Sequence, residues 1–500
     1  MLKNTSSTNQ SLQDFLNTDI RHYLSNNSET SAQEKIVSLF HDAVNNVPAY
    51  RDFILSRDLD SSSIHNYQDF QNLPLVTKHN YMQAYPLSAL CRNGRLEDSD
   101  IIACSSGSTG KPMFWPRSTK NELDIAMRFE QIFECAFDAK SKSTLVVICF
   151  ALGTWVGGIY TMECVRYLAQ KGYAVTLVTP GNNKNEIFKV VQELGDYFDQ
   201  VVLAGYPPFL KDVVDSGLAT GIDWALYNMR LIFAGEVFSE EWRSLICKRL
   251  GIDNPYFTTA SLYGTADAGV LGMETPISIS LRRFFAQNPE ATKEAFGESR
   301  LPTLVQYSPT SRFFELHENT LVVSGDNGIP LIRYHINDKG GVYSYEKLLS
   351  FAKNKGYKVP QEFREQLDKA SYPLPFVYLF GRSDFTISYF GANIYPENVT
   401  VALEKDGITQ WVSGKFVLQT VETASKDRIL KVVVELASGV TAPSNLEEII
   451  ANSVLKELIR LNSEFAHYVP IEFQQPKIIL KPAGDSEYFP LGVKHRYTRK

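Results

Sequence analysis

The sequence predicts an α/β protein. We expect a large N-terminal domain of βαβ-type sheets with a small β subdomain, followed by a small mobile α+β C-terminal domain. Short apolar runs alternate with helical segments from about residue 143, which is typical of a parallel sheet. After about residue 310 the chain changes to short strands separated by turn residues, which favours antiparallel pairing. Beyond residues 381–384, further strands and a helix form a segment of roughly 120 residues, enough for an independent unit.

The elements of the large domain follow in chain order. Residues 1–100 predict helices joined by polar loops. "STLVVICFAL" (143–152) is a continuous apolar run, as expected of a buried strand, and the helix predicted over 159–171 ends before Gly172. The later predicted strands are 173–180, 200–208, 230–236 and 256–264, with a helix over 185–198 and further helices between the others.

Three of these strands end in turns of small residues, at 204–206, 234–236 and 263–265. The active sites of parallel sheets gather at the carboxyl ends of their strands. These turns therefore mark the edge of the sheet where a site is expected.

The last part of the chain predicts a separate small domain. Its elements are a hairpin in "FTISYFGANIYP", strands in "KFVLQTVE" and "ILKVVVELA", a helix near 444–463 and a final strand in "KIILKP". We divide the chain into a large domain (1–380), a hinge (381–384) and a small mobile domain (385–500).

Composition excludes several classes of function. The 500-residue chain has a net charge of −6 and no evident basic patch, so nucleic acid is not an expected partner. Its six cysteines are scattered, which argues against a zinc site or a disulfide framework and favours a reducing, cytoplasmic location. The first residues lack the apolar core of a signal peptide, and no run reaches the roughly 20 apolar residues of a membrane helix.

The stretch "CSSGSTGKPMFWPRS" (104–118) has the composition of a phosphate-binding loop but not the spacing of a Walker loop. A serine stands where the first Walker glycine belongs, and Pro112 follows the lysine in place of Ser or Thr. The glycines still allow backbone amides to turn towards an anion, while hydroxyls and a lysine add donors. A solvated turn is the alternative, and for an isolated loop it is the more frequent one. The candidate residues are Ser105, Ser106, Gly107, Ser108, Thr109, Gly110 and Lys111.

Further motifs follow this loop in order. They are "SLYGTADAG" (261–269), "LIRYHINDKGGV" (331–342), "GRSDFTISYFGANIYPENV" (381–399) and "PLGVKHRYTRK" (490–500). Together with "SSGSTGKP", this series resembles the adenylate-forming superfamily of acyl-CoA synthetases, adenylation domains and luciferases. Within it, "FGANIYPENV" and "LIFAGEVFSEEWRSLICKRLG" are most similar to the phenylacetate–CoA ligase-like branch.

The resemblance implies that ATP and a carboxylic acid react to give acyl-AMP and pyrophosphate. It also implies a role for several residues of this chain. The loop would hold the terminal phosphates and Thr265 the α-phosphate. Asp267 would bind Mg²⁺ where the family has a glutamate; an aspartate is shorter but still a hard oxygen ligand. Asp338 would accept from both ribose hydroxyls. The remaining assignments are Tyr263 and Glu236 at the adenine, Gly264 in the nucleotide site, Arg382 bracing the nucleotide, Asp384 as hinge and Lys494 as catalytic lysine.

Most of these residues have a structural alternative. Tyr263 at a strand end is otherwise a core residue, and Glu236 near Ser239 also suits a helix cap. Asp338 and Arg382 in isolation would be surface charges. The terminal basic stretch could be a solvated tail, and Lys481 and Lys500 compete with Lys494.

The acid pocket is expected at Trp155, Tyr206, Phe233 and Ala234, although packing is an equally good explanation for Trp155 and Tyr206. An aromatic lining favours an aryl or medium-size apolar acid. The segment 276–310 departs from standard phenylacetate ligases, so phenylacetate itself is not indicated. The acceptor is expected to be CoA. The alternatives are a carrier-protein thiol or an amine in natural-product biosynthesis, or an inactive scaffold with this fold.

Overall fold

The computed structural model describes residues 5–25, 27–105, 113–153, 156–235, 237–382, 387–389, 392–422, 428–462, 465–466, 469, 471–490 and 495–498. Helices form most of the first hundred residues, as predicted. They are α1 (Thr5–Asn17), α2 (Ile20–Ser25), α3 (Glu29–Asn46), α4 (Pro48–Leu55), α5 (Tyr67–Phe70) and α6 (Leu87–Leu90). A two-stranded hairpin, β1 (Ile101–Ser105) and β2 (Met113–Arg117), precedes the long helix α7 (Thr119–Cys135).

One sheet of eleven strands runs through the large domain. In chain order its strands are β3 (Thr144–Ile148), β4 (Val175–Val178), β5 (Gln200–Gly205), β6 (Met229–Ala234), β7 (Thr259–Thr265), β8 (Gly269–Met273), β9 (Thr303–Gln306), β10 (Arg312–His317), β11 (Thr320–Gly325), β12 (Leu331–Tyr343) and β13 (Phe376–Arg382). Across the sheet the order is β10-β11-β12-β13-β9-β8-β7-β6-β5-β3-β4. Strands β3 to β7 pair in parallel, as the βαβ pattern predicts, and the other pairs are antiparallel.

The helices of this domain pack around the sheet. They are α8 (Val156–Gln170), α9 (Lys184–Leu194), α10 (Pro207–Ala219), α11 (Glu240–Arg249), α12 (Pro276–Gln287), α13 (Pro289–Phe296), α14 (Tyr345–Asn354) and α15 (Arg364–Ala370). The segment 276–310 contains the helices α12 and α13 and the strand β9, and β9 belongs to the large sheet. The strands after residue 310 are antiparallel, as predicted, but β12 pairs with β13 and continues the large sheet.

The small domain has its own hydrophobic core, formed by residues between 387 and 497. Its elements are β14 (Ile387–Tyr389), β15 (Ala392–Ile394), α16 (Pro396–Leu403), β16 (Val412–Glu422), β17 (Arg428–Leu436), α17 (Leu446–Leu461) and β18 (Lys477–Lys481). The hairpin β14–β15 and the three strands β16, β17 and β18 agree with the predicted elements. The exact domain boundaries and the hinge at 381–384 stay predictions.

Polar contacts join the small domain to the large one. They are Lys211 with the carbonyl oxygens of Thr409 and Val412, Ser239 with Glu404, and Arg300 with Glu397. Lys211 Nζ lies 3.0 Å from the Val412 oxygen, and the Arg300 guanidinium lies 3.9 Å from the centre of the Tyr395 ring. Across the described residues, no helix is both long and apolar enough to cross a bilayer.

Candidate active site

Strand β7 ends in a short turn that carries two of the predicted site residues. The Thr265 hydroxyl donates a hydrogen bond to Oδ1 of Asp267. The backbone N–H of Ala268 donates to the Thr265 hydroxyl (3.2 Å) and to Asp267 Oδ1 (3.1 Å). These bonds hold the Thr265–Ala268 turn in one conformation at the carboxyl end of β7, where the parallel part of the sheet meets its antiparallel part.

Asp267 is buried, with 4% of its surface exposed. Its second carboxylate oxygen, Oδ2, accepts a hydrogen bond of 2.5 Å from the Tyr334 hydroxyl. Its backbone carbonyl accepts from Asn327 Nδ2 at 3.4 Å. The described residues contain no group of three or more His, Cys, Asp or Glu side chains arranged to hold a metal ion.

A second tyrosine–aspartate pair lies beside the first. The Tyr263 hydroxyl donates a hydrogen bond of 2.7 Å to Oδ2 of Asp338, and both residues are buried. The ring of Tyr263 is nearly parallel to that of Phe314, with centroids 6.5 Å apart. Tyr263 is therefore a core residue that also fixes the orientation of the Asp338 carboxylate.

The two pairs are reciprocal. Strand β7 and its turn supply Tyr263 and Asp267, four residues apart, while β12 supplies Tyr334 and Asp338, also four residues apart. Each tyrosine donates to the aspartate of the other segment. No sequence pattern identified Tyr334, although it lies four residues before Asp338 in "LIRYHINDKGGV".

Two backbone features allow this close arrangement. A Cβ atom on Gly264 would lie 2.8 Å from the carbonyl oxygen of Gly269, so only glycine fits between β7 and β8. Asn337, next to Asp338, has φ of 62°, a left-handed conformation that asparagine tolerates better than most residues. Asp338 also stands opposite Arg382 in the pairing of β12 with β13.

The predicted acid-pocket residues do not all share one side of the sheet. Tyr206 packs edge-on against Phe150 with ring centroids 5.0 Å apart, in the core cluster that Ala234 also contacts. Phe233 packs on the other face against Phe238 and Trp242, at 5.0 and 5.2 Å. Successive side chains of a strand point to opposite faces, so Phe233 does not join Tyr206 and Ala234.

Tyr206 occupies a confined position. A Cβ atom on Gly235 would lie 2.8 Å from the Tyr206 ring, and Gly235 has φ of +81°. A Cβ atom on Gly157, at the start of α8, would lie 3.5 Å from the Tyr206 hydroxyl. Tyr206 thus lies between the start of α8 and the end of β6.

Several predicted residues lie outside the described residues. They are Ser106, Gly107, Ser108, Thr109, Gly110, Lys111, Trp155, Glu236, Asp384 and Lys494, together with the side chains of Ser105 and Arg382. Ser105 ends β1 and pairs with Met113, the first residue of β2, so the two strands flank the glycine-rich stretch. Lys481, the competitor of Lys494, ends β18 and lies 3.8 Å from Asp485.

No protein-family model matches the sequence, and no curated protein matches it. Solved structures do. The structure is similar to 2-hydroxyisobutyryl-CoA ligase in the postadenylation state in complex with R3-HIB-AMP, with a TM-score of 0.64 and 13% identity over 93% of this chain and 87% of that chain. The fold is that of the adenylate-forming enzymes.

The same ligase in complex with 2-HIB-AMP and CoA in the thioesterification state gives a TM-score of 0.52. Identity there is 14%, over 93% of this chain and 88% of that chain. Identities of 13–14% make this a likeness of fold. It confirms the predicted α/β class with a large N-terminal and a smaller C-terminal domain of the adenylate-forming type.

Proposed function

We propose that this protein activates a carboxylic acid with ATP as an acyl-adenylate, releases pyrophosphate and transfers the acyl group to a thiol, with CoA as the first choice. The observation that carries the proposal is the reciprocal pairing of Tyr263 with Asp338 and of Tyr334 with Asp267. It sets two carboxylates and the Thr265 hydroxyl at the carboxyl edge of a sheet with the adenylate-forming fold.

The proposed nucleotide contacts follow from the chemistry of these groups. A carboxylate has two oxygens and accepts hydrogen bonds from both hydroxyls of a ribose. The bond from Tyr263 orients the Asp338 carboxylate before the nucleotide arrives, which lowers the entropic cost of binding. We propose Tyr263 and Glu236 at the adenine, Gly264 in the nucleotide site, and Arg382 bracing the nucleotide.

The proposed phosphate contacts are Thr265, residues 105–111 and Lys494. Attack of a carboxylate on the α-phosphate brings two anions together, so the site must supply positive charge and hydrogen-bond donors. Thr265 would contact the α-phosphate, and residues 105–111 would hold the terminal phosphates. Lys494 would bring its charge when the small domain closes about a hinge at Asp384.

Asp267 suits the role of a magnesium ligand. Mg²⁺ is usually held by one or two carboxylates together with substrate phosphates, so a single buried aspartate is sufficient. Within the described part of the chain, Oδ2 accepts one hydrogen bond, from Tyr334, and lone pairs therefore remain for a cation. Bound Mg²⁺ would neutralise phosphate charge during the reaction.

For the acid we propose an aryl or medium-size apolar carboxylate, in the manner of the phenylacetate–CoA ligase-like branch. Tyr206, Phe150 and Ala234 lie on one face of the sheet near the end of β6 and support an apolar pocket, to which Trp155 would contribute. The packing of Phe233 on the other face argues for removing it from the lining.

For the acceptor, the comparison supports CoA, because the 2-hydroxyisobutyryl-CoA ligase has been solved with 2-HIB-AMP and CoA. A carrier protein or an amine is the second candidate. We propose a cytoplasmic location, because the scattered cysteines indicate a reducing compartment.

The test is exchange of labelled pyrophosphate into ATP with Mg²⁺ and a panel of aryl and short to medium apolar acids. We expect exchange with at least one acid, and a loss of about 100-fold or more for Lys494→Ala, the scale of one preorganised charge. Lys481→Ala and Lys500→Ala are matched controls at the competing lysines. No exchange with any acid, while a related ligase is active in parallel, would contradict the proposal and favour a scaffold.

A second measurement identifies the acceptor. The enzyme with its best acid and ATP is supplied in turn with CoA, a phosphopantetheine-bearing carrier protein and a primary amine, and products are separated by mass. Acyl-CoA is the expected product. Acyl transfer to the carrier protein or the amine alone would support the second candidate.

A further inference from the structure

Arg117 lies directly behind the turn that carries Thr265 and Asp267. It is the last residue of β2, the strand that follows the glycine-rich stretch, and only 1% of its surface is exposed. Its Nη2 donates a hydrogen bond to the backbone carbonyl of Ala266, in the middle of the turn. Arg117 thus connects β2 to the Thr265–Ala268 turn, across 149 residues of sequence.

The fold makes room for this contact. A Cβ atom on Gly269, the residue after the turn, would lie 3.0 Å from Arg117 Nη1 and 2.9 Å from the Ile125 side chain. Gly269 also has φ of +71°, a conformation that glycine adopts without strain. The guanidinium lies 4.5 Å from the centre of the Tyr160 ring, which covers one of its faces.

The charge of Arg117 is poorly compensated. Within the described part of the chain its Nε and Nη1 have no hydrogen-bond partner, and it forms no ion pair. The charge of Arg117 lowers the pKa of Glu122, but burial and the nearby Glu163 outweigh this effect and raise that pKa to about 7. Buried charges are normally paired, so an unpaired guanidinium here indicates that an anion is part of the complete site.

Two more buried arginines lie nearby and share one carboxylate. Arg128 and Arg312 both contact Asp124, and Arg312 Nη2 also donates to Asn327 Oδ1 at 2.9 Å. Burial lowers the pKa of Arg312, and repulsion from Arg128 and Arg117 adds to this, although Asp124 acts in the opposite direction. Asn327 in turn donates to the Asp267 carbonyl, so the turn is held from behind at two successive carbonyls.

We propose that Arg117 is a positioning residue for the triphosphate of ATP: it fixes the Thr265–Ala268 turn through the Ala266 carbonyl and supplies positive charge beneath it. This inference rests on the proposed function. It accounts for a buried arginine whose Nε and Nη1 have no partner among the described residues, next to a turn whose residues would contact phosphate and Mg²⁺.

The experiment compares the whole enzyme with Arg117→Met and Arg117→Lys. The matched control is Arg230→Met, because Arg230 is also a buried arginine in a strand, but the described bonds of its side chain go only to Asn228 and Met229. Thermal unfolding shows which variants fold. Arg117→Lys keeps the charge and most of the volume, so it remains informative if Arg117→Met is unstable.

Two readouts are taken, hydrogen exchange at the Ala268 amide and the KM for ATP in pyrophosphate exchange. For Arg117→Met we expect faster exchange at Ala268 and a KM for ATP raised about 10- to 100-fold, the scale of one hydrogen bond to a charged group. Arg117→Lys should lie between the wild type and Arg117→Met, because the charge remains but the guanidinium that donates to the Ala266 carbonyl does not. Arg230→Met should change neither readout.

Each outcome decides the inference. If the KM for ATP in the folded Arg117 variants equals that of Arg230→Met, Arg117 has no positioning role, even if Ala268 exchanges faster. If the wild type itself shows neither pyrophosphate exchange nor protection of Ala268 by MgATP, the proposed function is wrong and this inference falls with it. A KM for ATP that is raised in the Arg117 variants and unchanged in Arg230→Met supports both the inference and the proposed function.

Discussion

The Tyr334 hydroxyl donates a hydrogen bond of 2.5 Å to Oδ2 of Asp267, a residue 67 positions earlier in the chain. The same two segments exchange a second bond, from Tyr263 to Asp338, at 2.7 Å. Both aspartates are thus oriented by a tyrosine from the opposite segment. A buried carboxylate held in this way has a fixed direction for its remaining lone pairs, which is the property that a metal or ribose site needs.

Tyr334→Phe should weaken the dependence on Mg²⁺ more than it weakens acid binding. The variant removes the bond to Asp267 and keeps the ring, so we expect the half-saturating Mg²⁺ concentration in pyrophosphate exchange to rise about 10-fold. Tyr50→Phe is the matched control, since the buried Tyr50 hydroxyl has no partner among the described residues. An unchanged Mg²⁺ titration for a folded Tyr334→Phe would show that the Tyr334 bond does not position Asp267 for a metal.

Asp338→Ala should remove discrimination between ATP and 2′-deoxy-ATP. If Asp338 accepts from the ribose hydroxyls, the wild type prefers ATP by about 10-fold or more, the scale of one hydrogen bond to a charged group. The variant should bind both nucleotides weakly and equally. The measurement is the KM of each nucleotide for both proteins, and a preference that survives in the variant would place the ribose elsewhere.

Tyr206→Ala should change the acid preference, whereas Phe233→Ala should change the stability of the fold. Tyr206 lies on the proposed pocket side, so its truncation should extend activity to larger acids. Phe233 is fully buried on the other face, so its truncation should cost about 3–5 kcal/mol of unfolding free energy and leave the acid preference unchanged. Chemical denaturation and an acid panel measure both effects. A changed acid preference in Phe233→Ala would return that residue to the pocket.

Lys211→Met should disturb the arrangement of the two domains. Lys211 is buried in α10 and donates to two carbonyls of the small domain, which Met cannot do. Under the proposed function the two half-reactions use different arrangements of the domains, so we expect adenylation and acyl transfer from supplied acyl-AMP to fall by different amounts.

The control for this variant is Lys184→Met. Lys184 lies in α9 and pairs with Asp212 of α10, the helix that carries Lys211, and it has no described contact with the small domain. Single-turnover assays of each half-reaction give the comparison. Equal losses in both half-reactions, or a loss in Lys184→Met of the same size, would indicate a general effect on α10.

Glu404 should make the domain interface sensitive to pH. Burial raises the pKa of its carboxyl from 4.5 to about 8, with Glu241 adding to the rise, while the Ser239 bond, Lys211 and Arg282 act in the opposite direction. Its Oε1 is buried without a partner in the described chain. The neutral acid is therefore the form that suits the interface, and its stabilisation is complete below pH 4.5 and is lost as the pH rises towards 8.

Glu404→Gln mimics the neutral acid and should flatten this dependence. We expect the Tm of the wild type to fall between pH 5 and 8 by more than that of Glu404→Gln. Glu397→Gln is a control at another interface carboxylate, which pairs with Arg300. Parallel Tm curves for wild type and Glu404→Gln would mean that the Glu404 carboxyl is solvated in solution.

Local sequence patterns were sufficient to predict the strands and helices of the sheet and their order along the chain. The apolar runs of β3 to β7, the small-residue turns after them and the quoted motifs all depend on neighbours within about ten residues. The packing of Phe233 and Ala234 on opposite faces of β6 was also predictable, because adjacent residues of a strand point to opposite faces. The prediction that both line one pocket overlooked this alternation.

The sequence by itself determined the α/β class, the division into a large and a small domain and the candidate residues at the strand ends, since these follow from periodicity and local motifs. Only the tertiary structure decided that β12 continues the large sheet, that Tyr334 reaches Asp267 and that Arg117 reaches Ala266. These contacts join residues 67 and 149 positions apart. Their existence depends on strand order and register, which long-range packing sets and local propensity does not encode.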